Sequence, residues 1–130
     1  MNIVQLKKLS YDEVAKCNKC GFCLPSCPTY LVKKEEAYSP RGRNWITRFA
    51  IENKLELSGD TEKAIFTCLG CGACTAVCLS GVQTKDLIFQ NRECQVDEGF
   101  YPKIVDRLVN TLERTHNISD DDNEDRTEWE

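Results

Sequence analysis

The sequence predicts a mainly α-helical fold in which two cysteine loops are set between short helices. Three observations point that way. One cysteine spacing occurs twice, helix-start signals flank both copies, and apolar residues recur at helical intervals between and after them. The first copy is Cys17-x-x-Cys20-x-x-Cys23-x-x-x-Cys27-Pro28. The second, Cys68-x-x-Cys71-x-x-Cys74-x-x-x-Cys78, lies fifty-one residues further on, so eight of the nine cysteines form two equivalent quartets.

Each element has its own local reason. Ser10 with Glu13 three residues later has the form of a capping box, so a short helix leads into Cys17. Thr29 to Tyr38, with Lys33, Lys34, Glu35 and Glu36, reads as a linker with a solvated surface. Ser39-Pro40 supplies an N-cap and a proline at the first helical position. Trp45, Ile46, Phe49 and Ala50 then predict a helix to about Asn53 whose buried face is turned toward the cysteine loops. Ser58-Gly59-Asp60-Thr61 breaks the chain and starts another short helix, in which Ala64 and Ile65 lead into Cys68. After a turn at Ser80-Gly81, Thr84 to about Val96 reads as helix, with a stripe of Leu87, Ile88 and Cys94. The last helix is expected from near Pro102 to about Thr115. Ile104, Val105, Leu108, Val109 and Leu112 line one of its sides and need a partner surface, in the same domain or on another polypeptide. Residues 1–118 therefore read as one domain and 119–130 as an acidic, flexible tail.

The cysteine pattern defines the chemistry. The first run, with its trailing proline, reproduces the bacterial ferredoxin spacing, in which the fourth cysteine ligates the other cluster of a two-cluster protein. Three thiolates on one tight loop reach three iron corners of a cubane, and the last cysteine of each run lies beyond the loop that wraps its own cluster. The expected ligands are Cys17, Cys20, Cys23 and Cys78 for one 4Fe-4S cluster, and Cys68, Cys71, Cys74 and Cys27 for the other. Gly21, Gly70 and Gly72 suit loops that fold tightly around a cofactor, because glycine tolerates positive φ and lacks a Cβ. Zinc sites usually separate two Cys-x-x-Cys pairs by a longer spacer. A disulfide framework requires an oxidising compartment, and Met1 to Leu9 does not resemble a signal peptide. Redox thiol chemistry at one Cys-x-x-Cys pair leaves the register of all eight unexplained.

Composition narrows the function classes. The formal net charge is −4, but residues 120–130 hold seven acids and one base, leaving the body at about +2. Two loaded clusters, each of formal charge about −2 with its thiolates, make that body acidic and leave no broad basic surface for nucleic acid. No stretch approaches the ~20 apolar residues of a membrane-spanning helix, so membrane contact is expected only through partners. Arg41 and Arg43 either face a negatively charged cluster or a partner's acidic surface, or are simply exposed in a first helical turn. Cys94 reads as a small buried hydrophobe. His116, the single histidine, sits near a helix C-terminus and gives no acid–base pattern, and Trp129 in the tail is a candidate contact anchor.

Taken together, Cys-Asn-Lys-Cys-Gly-Phe-Cys-Leu-Pro-Ser-Cys-Pro-Thr-Tyr, Ser-Pro-Arg-Gly-Arg, Cys-Leu-Gly-Cys-Gly-Ala-Cys-Thr-Ala-Val-Cys and Ser-Gly-Val resemble the iron–sulfur subunits of glycolate and lactate oxidases. The ferredoxin-like parts of anaerobic glycerol-3-phosphate dehydrogenase and heterodisulfide reductase are similar. The resemblance covers about residues 11 to 115 and implies the all-helical ferredoxin fold. It departs at Leu79, where the family usually has proline, and in lacking any Cys-Cys-Gly sequence. The CCG module, if used, is then a separate polypeptide. The implied function is a cytoplasmic, non-catalytic electron-transfer subunit of a hetero-oligomeric oxidoreductase. It relays electrons between a flavoprotein or other redox subunit and a CCG-domain subunit or other acceptor, and is peripheral to a membrane only through partners. A freely diffusing two-cluster ferredoxin and a zinc-bound adaptor remain the alternatives, while an independent enzyme lacks a flavin or nucleotide motif.

Overall fold

A computed structural model describes residues 11–121 and 123–124. Among these residues there is no strand, and the helices are α1 (Tyr11–Ala15), α2 (Pro28–Lys33), α3 (Pro40–Ile51), α4 (Gly59–Phe66), α5 (Ala73–Ala76), α6 (Thr84–Asp97) and α7 (Ile104–Thr115), with a 3-10 turn at Glu36–Tyr38. The mainly helical expectation therefore holds. The expected cap Ser10 and the tail residue Trp129 lie outside the described residues. Glu13 fastens α1 to the start of α6, accepting from the Gln83 N–H at 2.8 Å while Lys16 donates to its other oxygen at 2.5 Å.

The segment expected as a linker is folded. Pro28 occupies the first turn of α2, where its missing N–H costs nothing, and Lys34 closes the helix in the left-handed region at φ 59°. Its charges are exposed, but the Glu36 carboxylate accepts from Arg41 Nε at 2.6 Å and Nη2 at 3.0 Å. The chain does not run free here because two turns are needed to carry Cys27 away from the first loop and bring Ser39 up to cap α3. That cap forms as expected, Ser39 Oγ accepting from the Gly42 N–H at 2.8 Å.

The buried face of α3 also differs from the apolar stripe expected. Arg43, Asn44, Thr47 and Ala50 are buried, whereas Trp45, Ile46 and Phe49 are half-buried. This polar face meets α6 through hydrogen bonds. Asn91 Nδ2 donates to Thr47 Oγ1 at 2.8 Å and Asn44 Nδ2 to Thr84 Oγ1 at 3.0 Å, while within α6 Gln95 Nε2 donates to Asn91 Oδ1 at 2.7 Å. The amide nitrogens of the seam are thus partnered, while Asn44 Oδ1 and Gln95 Oε1 are buried without a hydrogen-bond partner, each at a cost on the order of 1–3 kcal/mol. Two small apolar clusters flank the seam. One joins Ala50, Leu57 and Cys94, so Cys94 is a buried core residue; the other joins Val14, Val82 and Leu87.

Helix α4 starts with a reciprocal cap between Ser58 and Thr61, and its buried Ala64 and Ile65 aim the chain at Cys68. Helix α7 begins two residues after Pro102, and His116 ends it in the left-handed region at φ 55°, with its N–H on the Leu112 carbonyl at 2.8 Å. Ile104, Leu108, Val109 and Leu112 on α7 are exposed.

One close approach governs the first turn of α3. A Cβ at Gly42 would lie 1.9 Å from the Glu36 carbonyl oxygen, so the 3-10 turn packs directly on bare backbone. Gly42→Ala should destabilise the protein by on the order of 2 kcal/mol and visibly lower the midpoint of anaerobic thermal unfolding. Gly59→Ala, with no heavy atom within 4 Å of the added Cβ, should not lower it. Equal midpoints for the two variants would contradict this packing.

Candidate metal centres

The two cysteine loops are held by helices at both ends. Cys17 follows α1 closely, and Cys27 is the N-cap of α2. Cys68 follows the last turn of α4, Cys74 lies in α5, and Cys78 precedes the turn into α6. Between them the backbone reverses at Gly21, Gly70 and Gly72, with φ of 85°, 66° and 75°. These are conformations that residues bearing a Cβ rarely adopt.

Two cavities open beside these loops. One is lined by Cys68, Cys71, Cys74 and Cys27, with Thr29, Arg43 and Gly70. The other is lined by Cys17, Cys20, Cys23 and Cys78, with Arg41 and Asn44. Each cavity thus combines three cysteines of one run with the last cysteine of the other. Cys74 and Thr84 border both, so the cavities share a wall. Among the described residues no three Cys, His, Asp or Glu side chains converge as closely as a single metal ion requires. A cubane separates its thiolates more widely than one ion does, and the donor set is all sulfur, the choice of iron–sulfur clusters.

The sulfurs sit in graded surroundings. Cys20 and Cys71 are exposed, Cys27 is buried, and the others of the two runs lie between. Burial pushes the Cys23 thiol up to about 11, and the neighbouring Cys74 and Cys17 add like-charge repulsion. Cys74 is likewise raised, by burial first and then by Cys68 and Cys27. Loading iron must expel these protons, so burial works against ionisation of these thiols and iron has to compete with protons for them. Burial also pushes Cys27 up, yet hydrogen bonds from Thr29 and the Tyr30 N–H, with the charge and donor of Arg43, outweigh it and leave the thiol below its usual range. Backbone donors reach sulfur as well: Gly70 N–H to Cys68 at 3.4 Å and Val82 N–H to Cys78 at 3.3 Å.

The two arginines of Arg41-Gly42-Arg43 part company. Arg41 is tied to Glu36 and donates to the Lys19 carbonyl at 3.0 Å on the first loop. Arg43 is 2 % exposed and points inward to Cys27, with Nη1 3.8 Å from the sulfur. Its other donors bond the Ala64 carbonyl at 2.6 Å, Thr29 Oγ1 at 3.0 Å and Thr67 Oγ1 at 3.2 Å. Sequence reasoning missed Arg92, whose guanidinium bonds the carbonyls of Ile65, Phe66 and Cys68 and so clamps the end of α4 where the second loop begins. Arg43 does carry a signal, since Arg43, Thr47 and Ala50 share a helical spacing, but a stripe counted on apolar positions alone hides it. Arg92 gives none, because an arginine on a polar helix face has no local mark.

Residues 13–82 match the 4Fe-4S dicluster domain family. A protein of Bacillus subtilis named probable glycolate oxidase iron-sulfur subunit is 38 % identical over 71 % of this chain and 22 % of its own length. The glycolate oxidase iron-sulfur subunit of Escherichia coli is 33 % identical over 67 % of this chain and 21 % of its own. A protein of Methanosarcina mazei, named as one of the subunits of dihydromethanophenazine:CoB–CoM heterodisulfide reductase, is 28 % identical over 90 % of this chain and 32 % of its own. The chain therefore spans between a fifth and a third of these relatives. No solved structure matches it at a significant level. With a domain match over more than half the chain, and a cysteine set and cavities that fit the cofactor, the chain belongs to the 4Fe-4S dicluster domain family and is an iron–sulfur protein with two 4Fe-4S clusters.

Proposed function

We propose that the chain is the electron-transfer subunit of a multisubunit oxidoreductase. It passes electrons between a flavin-containing or other redox subunit and a CCG-type subunit or another acceptor. The observation that bears most weight is the pair of cysteine-lined cavities sharing the wall of Cys74 and Thr84. Bound there, each cluster supplies a store for one electron at a potential set by its surroundings. The chain's own residues do the rest: four cysteines hold each cluster, glycine turns wrap it, and Cys27, Arg43 and Thr29 keep water from one side of the second site. With four cysteines assigned to each cluster no iron corner is left for substrate, which supports a non-catalytic part. The relatives' names support an oxidoreductase of 2-hydroxy acids or of a heterodisulfide. Among the described residues no helix is long and apolar enough to cross a membrane. We place the protein in the cytoplasm, peripheral to a membrane only through partner subunits.

Helix α7 supports the subunit reading over a diffusible ferredoxin. Its apolar stripe includes Ile104, 52 % exposed, and Leu112, 48 % exposed, and no other element packs extensively on it among the described residues. An apolar helix face of this kind left in water marks an interaction surface. The much greater length of the relatives indicates how much protein is available to cover it.

Two outcomes are expected. In the crossed ligand arrangement, Cys27→Ala removes the cluster of the second motif and Cys78→Ala that of the first, leaving about four irons per chain in either case. Iron and sulfide analysis with electron paramagnetic resonance of the surviving cluster distinguishes them, and loss of the mutated residue's own motif cluster would refute the crossing. Leu108→Glu with Leu112→Glu should retain about eight irons per chain but lose a co-purifying redox subunit. Retention of that subunit at unchanged stoichiometry, or native purification with no companion, would return the reading to a diffusible carrier.

A further inference from the structure

The two cysteine quartets are equivalent in sequence but not in charge. At the second site, Arg43 is buried with only neutral oxygens and the Cys27 sulfur as partners. Arg92, half-buried, hydrogen-bonds carbonyls there, including that of Cys68, and lies over the Phe66 and Phe89 rings, with no anionic side chain among the described residues paired to it. None of the ion pairs among the described residues includes either guanidinium. At the first site the corresponding cation, Arg41, is already neutralised by the carboxylate of Glu36, 2.6 Å from its Nε. The exposed lysines bordering the cavities, Lys19 on the first and Lys85 on the second, are screened by water. Asn44 contributes to the first cavity a neutral amide only.

An uncompensated buried cation is costly unless an anion lies beside it. Next to Arg43 the available anion is the thiolate of Cys27 and the cluster it would serve. Taking up one electron makes a cluster more negative by one charge, so a nearby cation stabilises the reduced form and raises the potential. Hydrogen bonds to sulfur act in the same sense. Cys27 receives contacts from both Thr29, at 3.2 Å, and Arg43.

We propose that Arg43, reinforced by Arg92, makes the Cys68/Cys71/Cys74/Cys27 cluster the higher-potential member of the pair. A single electron on the chain then resides at that site, and transfer within the chain runs from the Cys17/Cys20/Cys23/Cys78 cluster to it. One electron leaves the first cluster, which is oxidised, and the second is reduced by the same electron, with the redox partner of the first cluster as its source. Arg43 acts as a positioning and tuning residue, since it touches a ligand sulfur and no reacting substrate. This rests on the crossed ligand reading above.

The test is an anaerobic redox titration of the full chain carrying both clusters, followed by electron paramagnetic resonance, with dithionite as reductant and mediators present. Arg43→Gln should lower the midpoint of the higher-potential cluster by at least about 59 mV, a tenfold change in its reduction equilibrium, and leave the other unmoved. Glu36→Gln, which releases the charge of Arg41 beside the first loop, should raise the lower midpoint alone. If Arg43→Gln fails to load iron, Glu36→Gln decides. A fully loaded Arg43→Gln protein with unchanged midpoints, or a Glu36→Gln protein with no shift or a shift in the higher couple, overturns the proposal. Failure of the crossed ligation itself appears separately, as the wrong cluster lost in Cys27→Ala.

Discussion

The guanidinium of Arg43 bonds at once to the carbonyl of Ala64, to the hydroxyls of Thr29 and Thr67 and to the sulfur of Cys27. Four segments therefore meet on one side chain: α3, the end of α4, the first turn of α2, and the last cysteine of the first run. Such a group gains nothing from burial itself, because taking a charge out of water costs several kcal/mol. Its place is understandable only if the geometry around it is nearly complete and an anion is close. The rest of the domain is arranged to meet those two conditions. Ser39 caps α3 so that Arg43 enters on the inner face, and the 3-10 turn presses on Gly42, one residue earlier.

This helps to explain why so small a domain needs so little apolar material. Its two apolar clusters are modest, and the seam between α3 and α6 is hydrogen-bonded amide and hydroxyl. In a chain of this size such cores bury too little to support a fold without additional links. The cysteine loops converge on two cavities, so a cluster bound in each would supply such links between the segments that line it. Metal binding and folding are then one equilibrium, with the raised thiols of Cys23 and Cys74 opposing occupation until iron displaces their protons.

Much of this is legible in the sequence because its local signals are short and physical. The repeated cysteine spacing, the glycines needed at positive φ and the Ser39-Pro40 start each depend on a few neighbouring residues. The α2 segment reads as a linker because its charged residues conceal a proline at the first helical position. The polar inner face of α3 escapes for a different reason: apolar periodicity does not register Asn44 and Thr47, which are buried by pairing with Thr84 and Asn91 of α6, forty residues or more along the chain. Leu79, where the resemblance implies proline, sits in a turn closed by the Gly81 N–H on the Cys78 carbonyl at 3.2 Å. At Cys27 the chain enters a helix instead, and there the proline is retained.

That difference between the two run ends shows how a duplicated motif acquires unequal surroundings. After Cys27 the chain must begin α2 and turn back through Glu36 into α3, which places Arg41 beside a carboxylate at the first loop and Arg43, two residues on and nearly opposite on the helix, inside the second. A helix advances about 100° per residue, so residues two apart point well away from each other and cannot both face one cluster. The pair Arg-Gly-Arg is therefore a device for sending one cation outward to Glu36 and one inward to Cys27. Equal cysteine spacing makes two sites of one chemistry, and the helix phase between two arginines is enough to make them differ in potential.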